Sequence, residues 1–181
     1  MTEEGVANGD EPHHYVVAPE SPFALLGDAE TRAWYAYMKV QLRLRYEMNR
    51  QLRADHGLSL ADYDVLVALI SDAGGTLSMS GLATRIGWER SRVSHQVRRM
   101  ADRGLVASGA GTGDRRITEV SLTDAGRAAL AAASPSHVEL MRTVFLDALD
   151  ETRAGQLAES LELVYERLIE HGSLPRPADH P

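Results

Sequence analysis

Arg90, Ser91, Arg92, His95, Arg98 and Arg99 crowd into one short stretch, and Asp114, Arg115 and Arg116 follow a little further along the chain. A guanidinium carries its donors in a planar fork that matches phosphate oxygens and the O6/N7 edge of guanine, while serine hydroxyls and imidazoles bond to bases or phosphates. From Gly81 to Arg116 there are eight arginines against Glu89, Asp102 and Asp114, a local balance of +5, so the remainder carries −12 within a net charge of −7. A basic stretch set in an acidic chain implies a local surface for nucleic acid, not a polycation throughout.

Other chemistries find little support. The chain has no cysteine, which removes disulfides, thiolate metal sites and thiol nucleophiles. No serine or carboxylate has a recognisable catalytic setting, so no enzymatic activity is expected. His13, His14, His95 and His137 lack metal-ligand spacing with carboxylates, and neither metal nor cofactor is expected. The glycines at 109, 111 and 113 open a strand instead of a helix, which leaves out the helix dipole that a phosphate cradle needs. No apolar run approaches the roughly 18 residues of a membrane span, and the acidic start MTEEGVANGDEPHHY is unlike a secretory signal, so a cytoplasmic location is expected.

The basic residues need elements to present them. Ser78 caps a short helical pattern with Leu82, Ala83 and Ile86 inward, and Gly87 stops it. A second pattern spans about Glu89 to Arg103, with Val93, Val97 and Met100 at i, i+4 and i+7, and Gly104 ends it. Two short helices across a glycine turn make a helix-turn-helix. With Val97 at the centre of the buried face, a turn of about 100° per residue sends Ser91, Arg92, His95, Arg98 and Arg99 outward. Arg98 and Arg99 suit phosphate, and Arg90 lies nearer the buried side, so its stem must swing out. Ser78 and Ser80 stand at a helix start whose free N–H groups suit phosphate, although ordinary capping explains them equally well.

A strand from Leu105 to Ser108, a loop from Gly109 to Gly113, and Thr118, Val120 and Leu122 in alternation make a β-hairpin wing. Arg115 and Arg116 at its tip can reach a minor groove, and Asp114 serves as an anchor that fixes an arginine. Around this lobe stand a helix from Asp28, its expected N-cap, to about Asp55, one from Leu60 to Ala73, one from Thr123 to about Leu149 bent at Pro135, and one capped by Asp150. The first has two apolar stripes, Tyr37/Val40/Leu44/Met48 and Trp34/Met38/Leu42. The last has Leu157, Leu161, Val164 and Leu168 on one side. This is more apolar surface than a small lobe covers, and a second subunit would bury it.

The run LSMSGLATRIGWERSRVSHQVRRMADRGLV, then GDRR, then VSLTDAG resembles the MarR (multiple antibiotic resistance regulator) family over roughly residues 30 to 170, most specifically from 77 to 126. The resemblance implies a mainly α fold with a small β-hairpin wing: a winged helix-turn-helix DNA lobe over 58–122, a helical dimerisation region over 28–57 and 123–171, and flexible extensions over 1–27 and 172–181. It implies a homodimer that binds a pseudo-palindromic operator in double-stranded DNA, usually a repressor relieved by a small ligand. Asp114 and Arg116 match the family's wing aspartate and arginine, and Arg92, Ser94 and His95 fall on its recognition helix. Ala107 and Ser108 stand where a basic residue is common. The implied pocket takes aromatic or phenolic acids, with Trp34, Tyr37 and Tyr63 as candidate walls and Arg45 as a positive partner. Trp34 and Asp64 match the urate-responsive branch by type, but Gln96 and Ser108 stand near its arginine positions. A winged helix that binds protein, or an enzyme acting on a small aromatic compound, remain as other readings.

Overall fold

The computed structural model describes residues 15–111 and 113–177, which divide into one unit ending at Arg45 and another beginning at Tyr46. The expectations for the extreme tails, with His13, His14 and His180, and for Thr112 of the wing lie outside the described residues.

In the first unit Pro22–Leu25 form a 3-10 turn whose cap, Ser21, accepts a bond from the Phe23 amide at 3.3 Å. Helix α1, Asp28–His56, follows it, its residues from Tyr46 onward counting with the second unit. Its cap is Gly27 and not Asp28: the Gly27 carbonyl accepts the Thr31 amide at 2.9 Å, and the Gly27 amide donates to Glu30 Oε2 at 2.8 Å. The Glu30 carboxylate, reaching back from the first turn, satisfies the amide of the cap residue itself, while the Asp28 side chain is not the cap. Part of the expected extension packs on α1, with the Phe23 ring 5.5 Å from Tyr35 and the Tyr15 hydroxyl accepting from Lys39 Nζ at 2.7 Å.

In the second unit α2, Leu60–Ile70, starts at a capping box in which Ser59 and Asp62 satisfy each other's backbone amides. It stops short of Ala73 because Asp72 Oδ2 accepts the Gly74 and Thr76 amides at 3.0 and 3.3 Å and folds a turn there. Strand β1, Thr76–Ser78, was not foreseen, since three residues carry no readable alternation. Helices α3, Met79–Ile86, and α4, Arg90–Asp102, follow, then β2, Val106–Ala110, and β3, Thr118–Leu122. The antiparallel sheet runs β1-β3-β2, with Leu77 opposite Val120 and Val106 opposite Leu122. Strand β2 extends past Ser108 and takes in Gly109 and Ala110, because pairing with Glu119 and Thr118 supplies what local propensity lacks.

Helix α5, Asp124–Val144, keeps Pro135 inside it and gives way to a 3-10 turn at Leu146–Ala148, short of the expected Leu149. Thr123 caps it, accepting from Gly126 and donating to the Leu105 carbonyl, which ties the hairpin's base to the helix. Gly126 is required there, since a Cβ would overlap the Leu105 carbonyl oxygen. Helix α6, Glu151–His171, starts at Asp150 as expected, with the Arg153 amide bonded to Asp150 Oδ1 at 2.8 Å. The core joins Leu52 of α1, Leu66 and Leu69 of α2, Leu82 of α3, Val93, Val97 and Met100 of α4, and Val120 of β3, all at most 1% exposed. Burial of each such side chain stabilises by about 1.5–3 kcal/mol, and together they fix the angle at which α4 leaves the body. Among the described residues no helix is long and apolar enough to cross a membrane.

Candidate nucleic-acid interface

The turn between α3 and α4 decides how α4 is presented. Gly87 closes α3 at φ +66°, a left-handed conformation that a side chain disfavours, and the Trp88 amide returns to the Ala83 carbonyl at 3.0 Å. Glu89 begins α4 without a side-chain capping bond. Val93, Gln96, Val97 and Met100 face inward, which leaves Arg90, Ser91, Arg92, Ser94, His95, Arg98 and Arg99 exposed on the other side. Arg90, expected nearer the buried side, is exposed with the rest, because it stands at the first residue of the helix where no preceding turn covers it. Ser80 is exposed, while the Ser78 hydroxyl accepts the Gly81 amide at 2.9 Å and so caps α3.

Two arginines counted in the basic segment turn inward. Arg85 is buried and donates to the Ala68 carbonyl at 2.6 Å. Arg103 donates through Nη1 to Asp62 Oδ2 at 2.8 Å and through Nη2 to the Gly57 carbonyl at 2.9 Å. Asp62, 3% exposed, also accepts from Gln96 Nε2 at 2.6 Å and from the Ser59 amide at 2.8 Å. One carboxylate therefore pins α4 to the start of α2, and it answers where Gln96 points. The Ser59-x-x-Asp62 spacing was a legible capping signal, but its partners across the fold were not. Among the described residues no three His, Cys, Asp or Glu side chains stand together as a metal site would require.

At the wing the Asp114 carboxylate takes both the backbone amide and the guanidinium of Arg116, at 2.9 Å from the amide and 2.9 Å from Nη2. The arginine's hydrogen bonds hold the Asp114 carboxyl below its ordinary range and the Arg116 guanidinium above its own. Asp114 therefore pairs with an arginine two residues along, and Arg115 and Arg116 are both exposed. On α4 the Arg92 guanidinium carbon lies 4.0 Å from the centre of the Trp88 ring.

The residues suggested for a ligand pocket fall in different units. Trp34 and Tyr37 of the first lie ring against ring, their centroids 5.8 Å apart, and Arg45 is exposed at its end. Tyr63 of the second packs 4.4 Å from His137, with its hydroxyl 3.5 Å from Ser134 Oγ.

The sequence pattern of the MarR family matches residues 56–117, the stretch that runs from the end of α1 through α2, α3, α4 and β2 to the tip of the wing. The chain is similar to AbsC, a MarR family transcriptional regulator from Streptomyces coelicolor, at 32% identity and TM-score 0.75, over 81% of this chain and 98% of that one. A second MarR family transcriptional regulator from Streptomyces coelicolor, solved in complex with DNA, is 30% identical at TM-score 0.76, over 84% of this chain and 94% of its own. The M. tuberculosis transcriptional regulator MOSR, also solved with DNA, is 30% identical at TM-score 0.59, over 75% of this chain and 96% of its own. No curated protein sequence matches the chain.

Proposed function

The chain belongs to the MarR family of transcriptional regulators, and from that premise we propose that it binds a pseudo-palindromic operator as a homodimer and represses transcription until a small aromatic or phenolic ligand releases it. The observation that carries the reading is the division of α4: Gln96, Val97 and Met100 face inward, while Arg92, His95, Arg98 and Arg99 face outward beside a wing that ends in Arg115 and Arg116. A helix of this kind fits the major groove, where arginine distinguishes guanine and flanking cations hold phosphate. In this reading Ser94, Arg90 and the exposed Ser80 supply further contacts, and Ser78 contributes by capping α3.

The homodimer draws support from apolar surface that one chain leaves open. Helix α6 buries none of its residues, and Leu161, Val164 and Leu168 are 47%, 56% and 62% exposed. Two copies joined there present two recognition helices, and a two-fold protein calls for a two-fold operator.

Selection of bound duplexes from a random pool, repeated with candidate aromatic acids, tests the proposal. A palindrome whose binding a ligand weakens is the expected result, and failure to enrich any duplex would overturn DNA recognition in favour of a protein partner. On the selected operator, Arg116→Ala should weaken binding to most sequences and lower the salt slope by about 1. Arg92→Ala or His95→Ala should cost about 1–3 kcal/mol and relax the preferred base as well. Equal losses on all duplexes would refute base reading by either residue.

A further inference from the structure

Trp88 stands outside the residues that the sequence singles out, yet it lies directly under one of them, Arg92. It lies in the turn between α3 and α4, its amide is tied to Ala83, and it is only 9% exposed within the core cluster. The Arg92 guanidinium carbon sits 4.0 Å from the centre of its ring. Among the described residues no other arginine of α4 stands over a ring.

Arg92 belongs to the first turn of α4, the end from which a recognition helix reaches base edges. An indole face attracts the cation through its quadrupole, and an indole embedded in a core is itself fixed. A guanidinium that lies flat on such a face has one side covered and its in-plane N–H donors left to reach sideways. That edge is the one that bonds O6 and N7 of guanine together. An arginine already held in place has less rotamer freedom to lose on binding, so more of its contact appears as affinity.

We propose that Trp88 is a positioning residue for specificity: it holds the Arg92 guanidinium flat, so that a guanine preference in the operator depends on an indole that need not touch DNA. The inference rests on the reading of α4 as the recognition helix.

Binding of the intact protein to the selected operator and to its single-base variants tests it, using Trp88→Leu, Trp88→Phe, Arg92→Ala, Arg92→Lys and the double variant Trp88→Leu/Arg92→Ala. Trp88→Leu should lower operator affinity by about 3- to 30-fold. It should flatten the guanine preference at the position that Arg92→Ala identifies, with the salt slope unchanged. Trp88→Phe, which keeps a ring, should keep most of that preference. In the Arg92→Ala background, Trp88→Leu should cost nothing further. Additive losses in the double variant, or equal losses on every base variant, overturn the inference. Where Trp88→Leu fails to fold by circular dichroism, Trp88→Phe and Arg92→Lys decide, since Arg92→Lys should keep the salt slope while losing the guanine preference and retention of that preference counts against the role. An Arg92→Ala protein that binds every duplex like the parent overturns both readings. One that loses guanine preference while Trp88→Leu or Trp88→Phe keeps it whole overturns this one alone.

Discussion

His137 is 1% exposed, and its Nε2 atom has no hydrogen-bond partner, while Nδ1 lies 3.3 Å from Gln51 Oε1 and the ring rests against Tyr63. Burial pushes its pKa down from the ordinary histidine value, because a charged ring would lose water without gaining an acceptor. Well above the ordinary histidine value of about 6.5, both folded and unfolded rings are neutral and the group has no effect on stability. As pH falls through that value the unfolded chain takes up the proton first, so stability drops until the folded ring follows at its lower pKa. Urea unfolding from about pH 7.5 to about pH 5.5 should therefore show a falling midpoint, and a flatter profile in His137→Phe. Parallel profiles for the two proteins would remove His137 as the cause. At the same scale the arginines divide by partner: Arg85 and Arg103 hold the fold, Arg92 lies over the Trp88 ring, and Arg116 is braced by Asp114.

Between elements, Asp62 connects what the backbone leaves separate. It caps α2 through the Ser59 amide, holds α4 through Gln96, and takes Arg103 just beyond the end of α4. Asp62→Ala strands a buried amide donor and a guanidinium together. The expected loss is about 3 kcal/mol, below the upper range for a dry ion pair because Arg103 is 42% exposed in its side chain. Operator affinity should fall with it, since α4 loses its tether to α2. Denaturant titration beside DNA titration checks both, and a stability loss under about 1 kcal/mol would mean that Gln96 and Arg103 find other partners.

For the whole molecule, the uncovered stripe on α6 is decisive. In the proposed homodimer two copies of α4 meet DNA together, and such linkage raises avidity by about 10²–10⁴-fold. A Leu161→Glu/Val164→Glu variant places charge in the middle of that stripe without removing any residue buried in the single chain. It should sediment as a monomer, keep the parent's helical signal, and bind the full operator about 10²-fold more weakly or worse. A variant that keeps a dimer's mass would move the contact away from α6, and a parent that is itself monomeric would overturn the proposed homodimer.

Sequence alone determined the order of helices, the helix-turn-helix, the wing, and the outward set Ser91, Arg92, His95, Arg98 and Arg99, because these depend on spacing within a turn or two of chain. The caps at Ser78, Thr123 and Asp150 were similarly local. Strand β1, the full length of β2 and the inward turns of Arg85, Gln96 and Arg103 were settled only by the tertiary structure. Each depends on a partner far along the chain: Asp62 lies 34 residues from Gln96 and 41 from Arg103, and β1 exists only because β3 returns beside it. An arginine's charge is evident from its letter, but whether that charge faces solvent or a buried carboxylate is decided by which residues folding brings next to it.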